Sequence, residues 1–578
     1  MSADSERVPA LPDKRYVDDL KQQLLVDFSG RDSLIRKLRR LRFMEESVDI
    51  PEAYRATARE VRTPICYEQV QRIVATLTVN YPVISVPPPG PGEENQRNSS
   101  KRERWINAAL PRMEQEAERG VFRMFVDNLV ADGQGVLKLV YKPEHWRQYP
   151  GRSGFTDDRA FGEAADRFKK SAKFPFALRD VDPLSFYPVF GEDGLEACLE
   201  ITQRPRRLMA RKFESIAAPE PLGQPLPAEE GSAGAGGTVE VVEYWDRWYY
   251  VLLVDGRRVR SGRHGYGQVP YFQASGEQSA SRDPRYSGMS TLFAIRWLVP
   301  LLDSLLTMKQ NAAFLYAYPT PFIRSPVGTP FEGGEDGRPQ VVEWTPGRMI
   351  PLYPGEDPGF VQWQGTPPDL DELISIVRGL IDRAGLASVL YGQGPGSDSS
   401  GYMVNQLISA AKVKYDPIVK SAEACLERLV GFLYQLLENK VGEEVFVWSR
   451  GDSEQGWVGL SGEDIRGYYA CKARIEPLMP TDDIAQGMFG TNLVKAGLVS
   501  KRWAREEKLG ISNPEDMAEE ILWEEAIGSQ EVRSAMVGRI LSEMGAGAPP
   551  SPAQSIGAPA PLAPDASKIG FPSPVPGP

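Results

Sequence analysis

Histidine is almost absent: His145 and His264 are the only two among 578 residues, and neither has a histidine four positions away or a cysteine beside it. That excludes a His-based zinc site and a Ser-His-Asp type of nucleophilic centre. Cysteine is also scarce. Cys66, Cys198, Cys425 and Cys471 lie far apart with no CxxC pair, which predicts free, mostly buried thiols in a reducing cytosol. No window reaches the roughly 18 uninterrupted apolar residues of a membrane span, and "MSADSERVPALPDKR" has no hydrophobic signal region. The expectation is a protein that is cytosolic when made and does not cross a membrane alone. A positive charge excess is missing too: 67 Lys and Arg stand against 78 Asp and Glu, a formal net charge of −11. Bulk coating of nucleic acid is disfavoured by that sign, whereas letting DNA slide past without gripping it is compatible.

Chemistry-bearing motifs are missing as well. The loop 391–401, "YGQGPGSDSSG", is the nearest approach to a phosphate-binding turn, with Gly392, Gly394, Gly396 and Gly401. A Walker loop ends in Gly-Lys-Ser/Thr, because the lysine meets the β/γ-phosphates and the hydroxyl meets Mg²⁺. Here Ser400, Gly401 and Tyr402 stand there, and the loop follows a helical pattern instead of a strand. Carboxylate pairs such as Asp482-Asp483 and Glu524-Glu525 fall at helix starts or on polar faces, so no catalytic acid or base is assigned. "NSS" at 98–100 matches a glycosylation acceptor, but without a secretory signal it carries no weight. The expectation is a non-enzyme with no cofactor and no metal.

What the chain does have is length and an order of elements. At 578 residues it exceeds one core, and its 41% hydrophobic, 25% charged composition is that of an ordinary globular protein. The apolar run 288–318 predicts a long helix that breaks at Pro319 and Pro321, and a segment with strand-like alternation follows through 366. "PDLDELISIVRGLIDRAG" opens a second helix, the glycine loop follows, and about 40 residues of helical pattern then run from 402 to 440. At 1.5 Å per residue that last helix spans roughly 60 Å, and Pro417 must bend it. Its apolar stripe includes Tyr415, Leu426, Leu429 and Leu433, and its length predicts that neighbouring copies of the chain help to cover it. The strand group 319–366 is too small for a core of its own, which points to strand pairing between subunits.

The rest reads as α+β. Residues 15–60 have helical spacing, and six basic side chains lie between Arg31 and Arg42, read as a solvated face or inter-subunit ion pairs in preference to a DNA contact. A short helix ends before Pro82, "VISVPPPG" is a strand, and a helix covers about 99–131 before the turn "ADGQG". From about 134 to 275 the pattern is an antiparallel meander with an Asp255-Gly256 hairpin turn and a short helix, "RPRRLMARKFES". Strands "EEVFVWSR" and "YYACKARIEP" follow the long helix, then short helices at 482–497 and 500–508 and a third from Asn513. The insert 216–237 and the Pro/Ala-rich tail 545–578 are too poor in apolar residues to order themselves.

Several of these segments, in this order, resemble the portal (head–tail connector) proteins of tailed bacteriophages, siphophage type. They are "TPICYEQVQRIVATLTVNYPVISVPPP", "VDPLSFYPV" with "LEITQRPRRLMARKFE", "YGQVPYF" into "GMSTLFAIRWLVPLLDSLLTMKQN", and "NLVKAGLVSKRWAREEKLGISNPEDMAEEILWEEA". The likeness covers roughly 60–530, and the insert and tail depart from it. It implies an N-terminal helical segment at 1–60 and a wing at 61–287. A first stem helix would follow at 288–318, a β-rich clip at 319–366 and a second stem helix at 367–386. The tunnel loop would be 387–401, a long kinked wing helix with wing strands 402–475, a helical crown 476–544, and the tail 545–578. It further implies a homo-oligomeric ring, usually of about twelve copies. The ring would sit at one capsid vertex of the virion, be made in the host cytoplasm, and pass double-stranded DNA during packaging and ejection. Its partners would be the terminase large subunit, the major capsid protein or scaffold, and head–tail adaptor proteins. A ring-forming adaptor or baseplate protein without a packaging role is the alternative. Under this resemblance Gln393, Ser397, Asp398, Ser399 and Ser400 would face DNA. Arg324, Phe331, Glu332, Trp344 and Arg348 would dock partners at the clip.

Overall fold

The computed structural model describes residues 9–48, 50, 52, 58–146, 149–192, 194–214, 237–281, 283–317, 321–324, 357–360, 369–384, 401–449, 456–475, 491–501, 504, 517 and 520–523. The chain divides into two units, 1–481 and 482–578. The architecture is α+β, with helices segregated from antiparallel sheets.

The N-terminal pattern folds as two helices, α1 (Lys14–Asp27) and α2 (Ser29–Arg42), parted at Phe28. Asp13 caps α1, accepting a bond from the Tyr16 N–H at 2.8 Å. Helix α3 (Ile65–Thr78) and strand β1 (Val83–Ser85) follow as the sequence predicts. The single helix expected over 99–131 is in fact two, α4 (Glu93–Ala117) and α5 (Val121–Asp132). Glu118 takes a left-handed conformation at φ 54°, and the chain turns through Gly120 so that both halves reach the core.

Strand β2 (Gln134–Tyr141) comes next, then α6 (Asp158–Ser171), a helix inside the stretch expected to be a meander, and β3 (Phe176–Val181). Strands β4 (Phe186–Gly191) and β5 (Gly194–Pro205) lead to α7 (Arg206–Glu214). Strands β6 (Thr238–Asp246), β7 (Tyr249–Val254), β8 (Arg257–Arg263) and β9 (Tyr271–Ser275) complete the β region. The expected meander is thus split: β4-β5-β6-β7-β8 form a five-stranded sheet, and β3-β2-β9 a separate three-stranded one. Asp255 and Gly256 take φ values of 51° and 68°, the double positive φ of a tight hairpin turn.

Helix α8 (Leu298–Ala317) begins ten residues later than the 288 expected. The segment before it instead makes successive three-residue turns, with Phe293 N bonding Ser290 O and Ile295 N bonding Leu292 O. Two things stop the helix from starting earlier. Ser290 and Thr291 are held on the end of α5 through bonds to the Val130 and Ala131 carbonyls. Pro300 has no N–H for residue 296 and is tolerated only in a first turn. The approach to α8 also needs glycine: a Cβ on Gly133, at φ 79°, would lie 2.5 Å from the Gly288 carbonyl oxygen.

Strands β10 (Pro321–Arg324) and β11 (Asp357–Phe360) pair antiparallel, and α9 (Asp369–Ala384) follows. Helix α10 (Gly401–Leu436) contains Pro417 and runs into a π-helical turn, Leu437–Val441. Strands β12 (Val445–Ser449) and β13 (Gly456–Leu460), the short helix α11 (Gly462–Ile465) and β14 (Lys472–Arg474) close the first unit, with β14 pairing back to β1. One large core joins α3, α4, α5, α8, α9 and α10 to β2, β12 and β13. In the second unit, Leu498, Leu522 and Trp523 are exposed.

Candidate assembly interface

Helices α8 and α9 lie side by side, and the Lys309 ammonium bonds the Asp371 carboxylate between them. Each has one face in the core: Val299, Leu302 and Leu305 on α8, and Ile374, Val377 and Ile381 on α9. Each also carries large apolar side chains in the open. On α9, Leu373, Ile376 and Leu380 are 43%, 53% and 43% exposed, at the i, i+3, i+7 spacing of one helix face. On α8, Leu301 and Met308 lie seven residues apart on one face and are 44% and 55% exposed, and Tyr316 near the end of the helix is 71% exposed. Trp297 stands at the head of the same row, 63% exposed, with the Lys37 ammonium 3.5 Å from its ring centre. So many exposed apolar groups in rows mark a surface built for a partner.

The pair is anchored from beneath. The Thr63 N–H and hydroxyl both donate to Asp303 Oδ1, at 3.0 and 2.7 Å. The Val61 N–H donates to the Thr307 hydroxyl at 2.9 Å, and the Arg59 N–H to the Asn311 side-chain oxygen at 3.0 Å. Burial raises the Asp303 carboxyl above its ordinary value, with the Thr63 bonds opposing. The strap 58–63 thereby fixes α8 on the core and leaves its outer row free.

Part of the basic cluster of α2 has a different use from either one expected. Arg39 bonds Asp132 at 2.6 Å and Asp182 at 2.6 Å, Arg42 bonds Asp127 at 2.7 Å, and buried Arg31 bonds its neighbour Asp32 at 2.8 Å. Arg36 and Arg40 of the same run are exposed, whereas Arg31, Arg39 and Arg42 thus make ion pairs inside one chain. They tie α2 to α5 and to the turn before β4. Burial raises the Asp132 carboxyl in spite of Arg39, whereas at Asp182 the Arg39 bonds outweigh burial and draw the carboxyl down. A second internal cluster joins the two sheets. Buried Lys138 donates to Glu200 at 2.8 Å and Glu243 at 2.6 Å, and the Tyr271 hydroxyl donates to Glu200 at 2.6 Å. Burial alone would lower Lys138, but Glu243 and Glu200 outweigh it and keep the ammonium charged.

The interface residues expected on the long helix are not at a surface. Tyr415, Leu426, Leu429 and Leu433 are 6%, 3%, 0% and 0% exposed, inside the chain's own core. Strands β9 and β14 and helices α4 and α5 supply that cover. Ser275 N donates to the Ser421 hydroxyl at 2.9 Å, and Ala473 N and Ile475 N donate to Glu427 and Glu423 at 3.1 and 2.8 Å. A stripe this well satisfied needs no neighbouring copy along 415–437. Of the expected docking residues, Arg324 falls in β10, in register with Asp357. Phe331, Glu332, Trp344 and Arg348 lie outside the described residues, as do Gln393, Ser397, Asp398, Ser399 and Ser400 of the glycine loop. The insert and the Pro/Ala-rich tail also fall outside them. The exposed rows on α8 and α9 are not among the interface residues that the sequence singles out, which lie on the long helix, at the clip and in the glycine loop. The signal was there: α9 has more apolar positions than one buried face can use.

No known protein family and no curated protein matches the chain. Among solved structures it is similar to the neck of an empty GTA particle computed with C6 symmetry. That match has 12% identity over 81% of this chain and 91% of that one, at a TM-score of 0.37. It is also similar to the neck of a native GTA particle computed with C12 symmetry, at 13% identity over 77% and 89%, TM-score 0.37. A third similar structure is the virion of a native gene transfer agent particle, at 12% identity over 82% and 92%, TM-score 0.39.

Proposed function

We propose that the protein is a ring-forming, non-enzymatic component of a phage-like head–tail junction, and within that class a portal that conducts double-stranded DNA. The observation that carries it is the pair of exposed apolar rows on α8 and α9. A helix pair with its inner faces already in the core and its outer faces apolar fits copies of the same chain set side by side. Unlike faces meeting head to tail close into a ring when the rotation is right. The position of the pair supports the portal reading, since it brackets β10 and β11 as stem helices bracket a clip. In that role the acidic balance keeps passing DNA from sticking, and the packaging ATPase is a partner protein.

The test is a Leu373→Asp/Ile376→Asp/Leu380→Asp variant compared with the parent by mass photometry and end-on electron microscopy. The parent should form closed rings with a central channel. The variant should keep its circular dichroism spectrum and melting temperature, because all three side chains are already exposed, yet run as a monomer. A parent that is monomeric at micromolar concentration, or a variant that still closes rings, would overturn the proposal.

A further inference from the structure

Cations far apart in sequence meet at one concavity of about 720 Å³. Arg119 comes from the α4–α5 turn, Lys142 from the end of β2, Lys173 from the approach to β3, Arg179 from β3 and Arg204 from the end of β5. Among the described residues none of these five has a carboxylate at ion-pair distance. Three carboxylates, Glu116, Glu118 and Asp180, share the concavity with these five cations and are outnumbered by them. Glu116 is taken by Arg112 at 3.0 Å and by the Phe174 N–H at 2.8 Å. Glu118 is exposed, and at Asp180 burial raises the carboxyl while the nearby Arg119 charge opposes that rise. Buried Phe176 and Leu178 contribute apolar lining. Lys142 is half-buried, and its affinity for a proton is lowered first by that burial and then by the Arg179 charge, with Lys173 and Lys212 acting the same way and Glu144 opposing. In a chain of net charge −11, this is a local positive well with like charges held together at a cost.

We infer that this concavity binds closely spaced phosphate groups, as on an oligophosphate or along a nucleic-acid backbone. Three guanidinium forks suit phosphate oxygens, each able to donate two parallel hydrogen bonds, and the two ammonium groups add point charge. A single carboxylate would occupy one fork and leave the other cations unrelieved. A chain of phosphates puts several charges within the span of a pocket of this size. Binding would also relieve the strain on Lys142, by placing negative charge beside it. The inference is independent of ring formation and of the α8–α9 rows.

Inorganic tripolyphosphate, titrated calorimetrically into the full chain at low salt, is the probe. The parent should bind it, and an Arg119→Ser/Arg179→Ser/Arg204→Ser variant should bind at least about tenfold more weakly. All three side chains are exposed, so circular dichroism should show the fold unchanged. The control is Arg257→Ser/Arg258→Ser/Arg263→Ser on β8, which removes the same charge elsewhere and should leave binding within about twofold. Competition with a short duplex distinguishes the sources. Displacement of tripolyphosphate by the duplex points to the nucleic-acid backbone, and its failure to displace points to a free oligophosphate. No binding by the parent, no loss in the first variant, or equal loss in the control would each overturn the inference.

Discussion

The cysteines show how far burial alone sets a residue's chemistry. Cys66, Cys198 and Cys425 are buried, and all four thiols are free. Burial pushes Cys66 up to about 12, helped by the Asp303 charge, and pushes Cys425 and Cys471 to about 12 as well. Thiolate is the reactive form, so none should react quickly with a disulfide reagent in the folded protein. The same shift has a sign for stability. The unfolded chain ionises its thiols near the ordinary value of about 9, while the folded chain resists until about 12. Their contribution is therefore fully present below about pH 9 and is lost as pH climbs toward 12. Denaturant unfolding measured at rising alkaline pH should show falling stability, and the Cys66→Ala/Cys425→Ala variant a shallower slope. An unchanged slope would mean that other groups carry the alkaline dependence.

At the scale of elements, boundaries turn on a few backbone positions. Helix α2 ends in a two-bond cap: Glu45 N bonds Arg40 O at 2.8 Å and Met44 N bonds Leu41 O at 3.2 Å. That geometry puts Met44 at φ 58°, where glycine is the usual residue. Met44→Gly should therefore stabilise the protein by about 0.5–1 kcal/mol, seen as a higher denaturation midpoint. A lower midpoint would show that the partly exposed methionine side chain packs more than the left-handed turn costs. The helices α3 and α9 were legible because their apolar spacing and their ends agree. The α4–α5 break and the late start of α8 were not, because a left-handed glutamate and hydrogen bonds to a distant helix decide them. The split of the β region into two sheets was equally hidden, since alternation gives a strand's faces and not its neighbours.

For the whole molecule, the Lys138 cluster is the joint between the two sheets. Lys138→Ala would leave Glu200, 12% exposed, and Glu243, 32% exposed, without their cation, at a cost below the ~3–5 kcal/mol of a fully buried pair because water reaches Glu243. The triple variant Lys138→Met/Glu200→Gln/Glu243→Gln removes the charges together and should regain most of that loss. Urea denaturation of the two variants checks this. If the triple is no more stable than the single, the cluster acts through packing and not through charge.

By itself the sequence determined the α+β class, the free thiols, and the order of helix, strands, helix and long helix, because periodicity and turn chemistry are local; that β10 pairs with β11 of the same chain was not among its expectations. It also carried the apolar faces of α9 and α10, but not which of them would stay exposed. Only the tertiary structure decided that. Strands β9 and β14 and helices α4 and α5 close over α10 from Tyr415 onward and use up its stripe there, while the rows on α8 and α9 keep their outer faces bare. It likewise turned part of the basic run of α2 into internal ion pairs and gathered scattered cations into one concavity. Charge and apolar surface become interfaces only where the fold brings them together without partners, and those distances along the chain carry no local signal.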